Sequence, residues 1–346
     1  MSYPPFPDNV PTHPLFIIDY ELIQARDELE LDRLWEAGTK LGFWYLRNHG
    51  VDKEVNDMFD MGVDIMALPL EEKMKFEQGD DGMSFGYKAV GANAVDAIGQ
   101  LDTVECINIA KDDALAWPEV ARREYPKVVN VHMKSSIAPF IRKSLEVNHT
   151  ILDIFNQRLG LPPGELLRRH RMEEFSGSEA RVIRNAASQD THRPAIGSHT
   201  DFGTLSFLHN RLGGLQVLVP GTETWQYVKP IPGHAVCNVG DALAIFSGGI
   251  LRSNVHRVLP PPGEQSKCER WSLVYFTRPG NSVLLNALLN ESSLIADAIT
   301  KRPEKNFKTV TTSYEWFSRR IKYQRIKNRK GPETWMASRG TEEMGT

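Results

Sequence analysis

The sequence predicts a mixed α+β fold, a jelly roll of short strands flanked by helices, and three observations predict it. From Ala180 to Pro279 short apolar or alternating runs are punctuated by Gly, Pro, Asn and Asp, which is strand-and-turn texture. Before that block, Leu31, Leu34, Trp35, Gly38 and Leu41 fall on one helical face. After it, Trp316, Phe317, Ile321 and Ile326 interleave with Arg and Lys as an amphipathic packing helix does. About eight short strands in one block read as two packed sheets whose mouth can hold a ligand.

In chain order, a Pro-rich lead precedes a strand at Leu15 to Ile18. The helix from Leu31 stops at Gly42, and Phe43 to Leu46 is a strand ending in the turn Asn48-His49-Gly50. His49, beside a turn glycine, reads as a structural hydrogen-bonding residue and is left out of the site. Val51 to Phe76 holds two helices, the second opening at Pro69 with Glu71 and Glu72 in its first turn. A Gly-rich loop, Gly79 to Gln100, follows; residues 129–160 form the longest helix, and Leu161 to Glu165 opens another. The strands expected next are Ala180 to Ala186, Ile196 to Phe202, Thr204 to Leu208, Leu215 to Val219, Trp225 to Lys229, Ala235 to Asn238, Ala242 to Phe246, Ser253 to Val258 and Trp271 to Thr277. Ser313 to Arg329 is helical. The expected division is residues 1–175 packing on the core, a catalytic core at 176–282 and a helical segment at 283–346.

The chain has 346 residues and a net charge of -3, which gives no footprint for a polyanion. Nucleic acid is therefore not expected as a partner, and a small molecule is. The three cysteines, Cys106, Cys237 and Cys268, are too scattered for a disulfide framework and fit reduced thiols in a cytoplasmic setting. No apolar run approaches a membrane span, and no secretory leader is expected. The oligomeric state is not legible.

The chemistry concentrates between Gly197 and Phe276. In Gly197-Ser198-His199-Thr200-Asp201, a His and an Asp two residues apart on a strand share a face, so one metal ion can take both. His256, in Ser253-Asn254-Val255-His256-Arg257-Val258, is the natural third ligand. Two His and one carboxylate leave the opposite positions of an octahedral ion open, which suits non-haem Fe(II) binding O2 and a chelating co-substrate. Arg270 and Ser272, two residues apart on a later strand, share a face and can clamp a carboxylate. Taken alone, Arg270 would pair with Glu264 or Glu269.

The ordered series His-Thr-Asp, Phe202-Gly203-Thr204-Leu205-Ser206, Gly214-Leu215-Gln216-Val217, Asn238-Val239-Gly240-Asp241, His256-Arg257-Val258 and Arg270-x-Ser272 resembles the isopenicillin N synthase-like family of Fe(II)- and 2-oxoglutarate-dependent dioxygenases. The resemblance implies a double-stranded β-helix core, His199, Asp201 and His256 on the iron, and Arg270 with Ser272 on the distal carboxylate of 2-oxoglutarate. It implies oxidative decarboxylation of 2-oxoglutarate to succinate and CO2 and removal of a hydrogen atom from the substrate, ending in hydroxylation, desaturation or ring rearrangement. It places the Gly79 to Gln100 loop near the mouth, and Phe202 and Phe276 facing the cavity. Arg181, Arg184 and Asn185 lie on the strand entering the site, and Arg181 and Arg184, with Phe202 and Phe276, are expected in the substrate pocket. Related enzymes carry a Tyr on that strand that often bonds the co-substrate; here Asn185 stands at its place, so it is expected to line the site and widen it. The triple-Pro loop Pro260-Pro261-Pro262 and the loop Ser188 to Pro194 resemble fungal natural-product oxygenases. Two alternatives remain at this point: an oxidase of the same fold that uses no 2-oxoglutarate, and an inactive metal-holding binding protein.

Overall fold

In this computed structural model, residues 3–188, 190–302 and 307–343 are described, so Gln189 inside the loop Ser188 to Pro194 and parts of the 283–346 segment lie outside the described residues. The strands are β1 (Ile17–Asp19), β2 (Phe43–Arg47), β3 (Gly86–Lys88), β4 (Val104–Ala110), β5 (Glu179–Asn185), β6 (Ile196–His199), β7 (Leu205–Asn210), β8 (Leu215–Leu218), β9 (Trp225–Tyr227), β10 (His234–Val239), β11 (His256–Val258), β12 (Arg270–Thr277), β13 (Leu284–Asn286) and β14 (Lys308–Thr312). An eight-stranded sheet runs β1-β2-β10-β7-β12-β5-β4-β3, and a four-stranded sheet runs β6-β11-β8-β9. Apart from the parallel β1-β2 pair, neighbours in both sheets are antiparallel. This is the expected jelly roll flanked by helices, in a mixed α+β chain.

The large sheet is buried on both faces, and strand alternation assigns each side chain to one of two cores. Phe43, Tyr45, Cys106, Ile183 and Val274 join Leu215, Val217 and Val258 of the small sheet in the core between the sheets. Their neighbours Trp44, Leu46, Ile107, Val182, Leu273 and Tyr275 turn the other way, into the helical layer. There the helix Ala138–Arg158 buries Phe140, Ile141, Leu145, Ile151, Leu152 and Phe155 against the sheet. Truncating one such aromatic to Ala costs about 3–5 kcal/mol.

Four of the eight large-sheet strands, β1 to β4, come from residues 1–175, so that region extends the catalytic sheet as well as packing on it. Gly42 ends its helix at φ +79°, where a Cβ would meet the Arg252 carbonyl oxygen at 2.0 Å, so no other residue fits there. Ala242 to Phe246, read as a strand, is part of the helix Asp241–Phe246. All six of its residues are buried, and a short run buried all round carries no period that separates helix from strand. Leu161 to Glu165 forms a turn rather than a helix start, with only a 3-10 turn at Leu167–Arg169.

Candidate active site

β6 and β11 bring the two imidazoles together: His199 and His256 are register partners, their ring centroids 4.3 Å apart. β6 stops at His199, so Asp201 is not on the strand as the His-x-Asp spacing suggested; it lies in the turn leading to β7. The turn still delivers it. Asp201 Oδ1 is 3.8 Å from His199 Nε2 and 3.7 Å from His256 Nε2, and the three donors lie within 4.8 Å of one another. Gly197, two residues before His199, lets the loop over the cavity close on β6, since a Cβ there would sit 1.9 Å from the Val95 carbonyl oxygen.

The second atoms of these groups are all taken. His199 Nδ1 donates to Gly197 O at 2.8 Å and His256 Nδ1 to Asn254 O at 3.2 Å; because a carbonyl only accepts, both Nε2 atoms keep their lone pairs for a ligand. Asp201 Oδ2 accepts from Ser206 Oγ and from Asn238 Nδ2, the latter at 2.7 Å, leaving Oδ1 free. Burial pushes the His199 imidazole down to about 3, with His256 beside it acting the same way. Burial alone would raise the Asp201 carboxyl, but the two histidines and the two hydrogen bonds outweigh it and hold the group down to about 2. Two imidazoles and one carboxylate on one side of a cavity are a donor set that fits Fe(II).

Arg270, at the start of β12, is 3 % exposed. Its Nε donates to Gly213 O at 2.7 Å and Nη1 to Ser272 Oγ at 2.5 Å, yet among the described residues no carboxylate forms an ion pair with it. Glu269 pairs with Arg184 and Glu264 with Lys267. Burial lowers the Arg270 guanidinium to about 10, which leaves it charged at neutral pH. A buried charge without a partner is costly, so the geometry calls for an anion there.

Around these groups lies an open-mouthed cavity lined by His199, Asp201, His256, Arg270 and Ser272. Phe202, Phe276 and Arg181 are also on its wall, and so are Lys88, Asn93 and Val95 from the Gly79 to Gln100 loop. Arg184 is not. It pairs across β12 with Trp271, on the opposite face from Arg181, and binds Glu105 and Glu269; alternation along β5 sends 181 and 184 to opposite sides, which corrects its reading as a pocket residue. Asn185 differs in another way. It is the register partner of Arg270 and shares its face, but it is absent from the cavity wall: Thr103 Oγ1 donates to its Oδ1 at 3.0 Å, and its Nδ2 is a buried donor without a partner among the described residues. His49 packs at 5.4 Å and 5.3 Å from Phe207 and His209, on the helical side of the sheet.

Sequence reasoning missed the brace behind the metal loop. Arg320, on the helix Ser313–Gln324, is wholly buried; it pairs with Asp241 and donates to Thr200 O at 3.0 Å. Arg339 donates to Ser198 O at 2.7 Å, and Thr341 Oγ1 to Asp241 Oδ1. The signal for Arg320 was a charged residue between Phe317 and Ile321 on the packing face of an amphipathic helix.

Two imidazoles and a carboxylate converging in the mouth of a jelly roll define a mononuclear non-haem metal enzyme. Residues 178–279 match the 2OG-Fe(II) oxygenase superfamily, and residues 15–130 match the family described as non-haem dioxygenase in morphine synthesis N-terminal. A 2-oxoglutarate-dependent dioxygenase of Gibberella zeae is 31% identical over 79% of this chain and 82% of its own length. Another, from a Dothideomycetidae species, is 30% identical over 78% and 84%. A full-length Neurospora crassa protein solved in complex with alpha-KG superposes with a TM-score of 0.70 at 22% identity, covering 89% of this chain and 95% of that one. JOX2 in complex with 2OG, Fe and JA has a TM-score of 0.69 at 19% identity, covering 98% and 93%; both likenesses are of fold. The chain belongs to the 2OG-Fe(II) oxygenase superfamily and is an Fe(II)- and 2-oxoglutarate-dependent dioxygenase.

Proposed function

We propose that His199, Asp201 and His256 hold Fe(II), that Arg270 and Ser272 take the distal carboxylate of 2-oxoglutarate, and that the substrate is a small organic molecule of fungal secondary metabolism. Bound there, Fe(II) would supply, with O2 and 2-oxoglutarate, the oxidising power for removing a hydrogen atom from the substrate, 2-oxoglutarate being converted to succinate and CO2. The residues do the positioning. Gly197 O and Asn254 O fix both imidazole tautomers, Ser206 and Asn238 turn one Asp201 oxygen to the ion, and Gly213 O aims the Arg270 fork. Asn185, beside Arg270 on the same face, stands behind the clamp, while Phe202, Phe276 and Arg181 form the substrate wall.

The observation that carries the reading is Arg270: a buried guanidinium with no acid paired to it among the described residues, on the wall of the cavity that the His199, Asp201 and His256 donors also line. An oxidase without 2-oxoglutarate would have to bring its own carboxylate there. Several fungal relatives about 30% identical are themselves 2-oxoglutarate-dependent dioxygenases, which supports a fungal small molecule. The coarse division into 1–175, 176–282 and 283–346 keeps the donors and Arg270 in the middle part. Three free cysteines, two of them buried, support work in the cytoplasm; among the described residues no helix is long and apolar enough to cross a membrane. The test is anaerobic reconstitution with Fe(II), followed by 2-oxoglutarate and O2. Succinate release that requires 2-oxoglutarate supports the reading, and O2 consumption without it rejects the clamp assignment.

A further inference from the structure

Two guanidiniums of the cavity share one acid. Arg181 Nη2 lies 2.7 Å from Glu179 Oε1, and Arg278 Nη2 lies 3.2 Å from the same oxygen. Glu179 has nothing more to give, because its Oε2 already accepts from Ser84 Oγ and Asn108 Nδ2. Arg270, assigned above to 2-oxoglutarate, stands apart, and the remaining cavity cations are better matched: Lys88 with Asp102, Arg325 with Glu77 and Asp80, Arg339 with Glu342. Arg278 is 4 % exposed, and the Nε atoms of both Arg181 and Arg278 are buried donors without partners among the described residues. Both guanidiniums lie 5.0 Å from the Phe276 ring, which holds them apart around one aromatic plate on the cavity wall. The neighbouring Asp201 charge does not offset the surplus once Asp201 is given to a metal.

One unit of positive charge is thus left on the wall, in a cavity whose remaining surface includes Ile183, Leu208, Val258 and Ile321. A buried cation persists where something pairs with it. We propose that the substrate carries a carboxylate on an apolar body, and that Arg181, backed by Arg278, binds that carboxylate by charge-assisted hydrogen bonds. A monoanion closes the balance, whereas a dianionic phosphate would leave the wall negative. The fork of Arg181 suits a planar carboxylate through two parallel bonds. This rests on the reading of Arg270 as the 2-oxoglutarate clamp, since otherwise Arg270 would be the substrate's anion site.

The probe is benzoate against its neutral isostere benzamide, titrated calorimetrically into the anaerobic Fe(II) enzyme with 2-oxoglutarate saturating. Binding of 2-oxoglutarate is measured first on each variant, so its loss counts against the Arg270 assignment and not against this one. Benzoate should bind saturably and about tenfold or more tighter than benzamide, the scale of one charge-assisted bond. Arg181→Gln should abolish that preference, and Arg181→Lys should keep part of it. Glu179 still pairs with Arg278 in both variants. Equal binding of the two probes, no saturable benzoate binding, competition of benzoate with 2-oxoglutarate, or a preference that survives Arg181→Gln would each overturn the proposal.

Discussion

His199 and His256 stand directly opposite each other on antiparallel strands, so two of the three donors are placed by sheet register rather than by a loop. Asp201 alone depends on a turn, and its orientation rests on hydrogen bonds from Ser206 and Asn238. Replacing Asn238 with Leu should therefore weaken iron binding about 10- to 100-fold, the usual effect of losing a partner behind a ligand. Titration with Fe(II) under argon reads this directly. Asp201→Ala should go further and remove turnover while the fold is kept; full turnover with iron bound would mean the donor set is misassigned.

Arg270→Leu removes the guanidinium assigned to the 2-oxoglutarate carboxylate and strands no acid among the described residues. The KM for 2-oxoglutarate should rise by about one to two orders of magnitude, since charge-assisted pairs in dry sites are worth roughly 2–5 kcal/mol. Iron affinity should hardly change. Steady-state succinate assays across 2-oxoglutarate concentrations test this, and an unchanged KM would reject Arg270 as the group that holds the co-substrate.

Removing Arg320 leaves Asp241 buried beside Glu342 with its main counter-charge gone. Arg320→Ala should lose about 3–5 kcal/mol of stability by urea unfolding, the cost of breaking a buried pair. The double change Arg320→Met with Asp241→Leu should recover much of it. A loss under about 1 kcal/mol for the single change would show that the brace carries little.

His170 sets a pH dependence. Its Nδ1 donates to Leu166 O and its Nε2 accepts from Thr204 Oγ1, both at 2.7 Å, and burial pushes the imidazole down to about 3. In the unfolded chain it titrates near 6.5. Between those values the unfolded state binds more protons, so this contribution is complete above about 6.5 and falls by about 1.4 kcal/mol per unit as the pH drops through the window. His170→Gln should flatten that slope; urea midpoints at about pH 7.5 and pH 5 that shift equally in both proteins would exclude it.

The strands that carry the site were legible because alternation in Arg270-x-Ser272 and the ordered motifs name both residue and face. The helix Asp241–Phe246 was not, because burial on every side erases the period. Arg184 was misplaced for a simpler reason: three polar residues on β5 were read together although the strand separates odd from even positions. β4, buried at all seven positions, offered no turn signal or alternation of its own. Nothing local in the sequence pairs Arg320 with Asp241, 79 residues away, since long-range ion pairs leave no periodic mark.

Arg339 reaches back 141 residues to hold Ser198, and Arg320 reaches back 120 to hold Thr200. On a growing chain made at about 5–20 residues per second, the loop bearing His199 and Asp201 exists for several seconds before its brace does. Donor placement thus trails the synthesis of the donors themselves, and the iron site is finished only once residues 320 and 339 have been made.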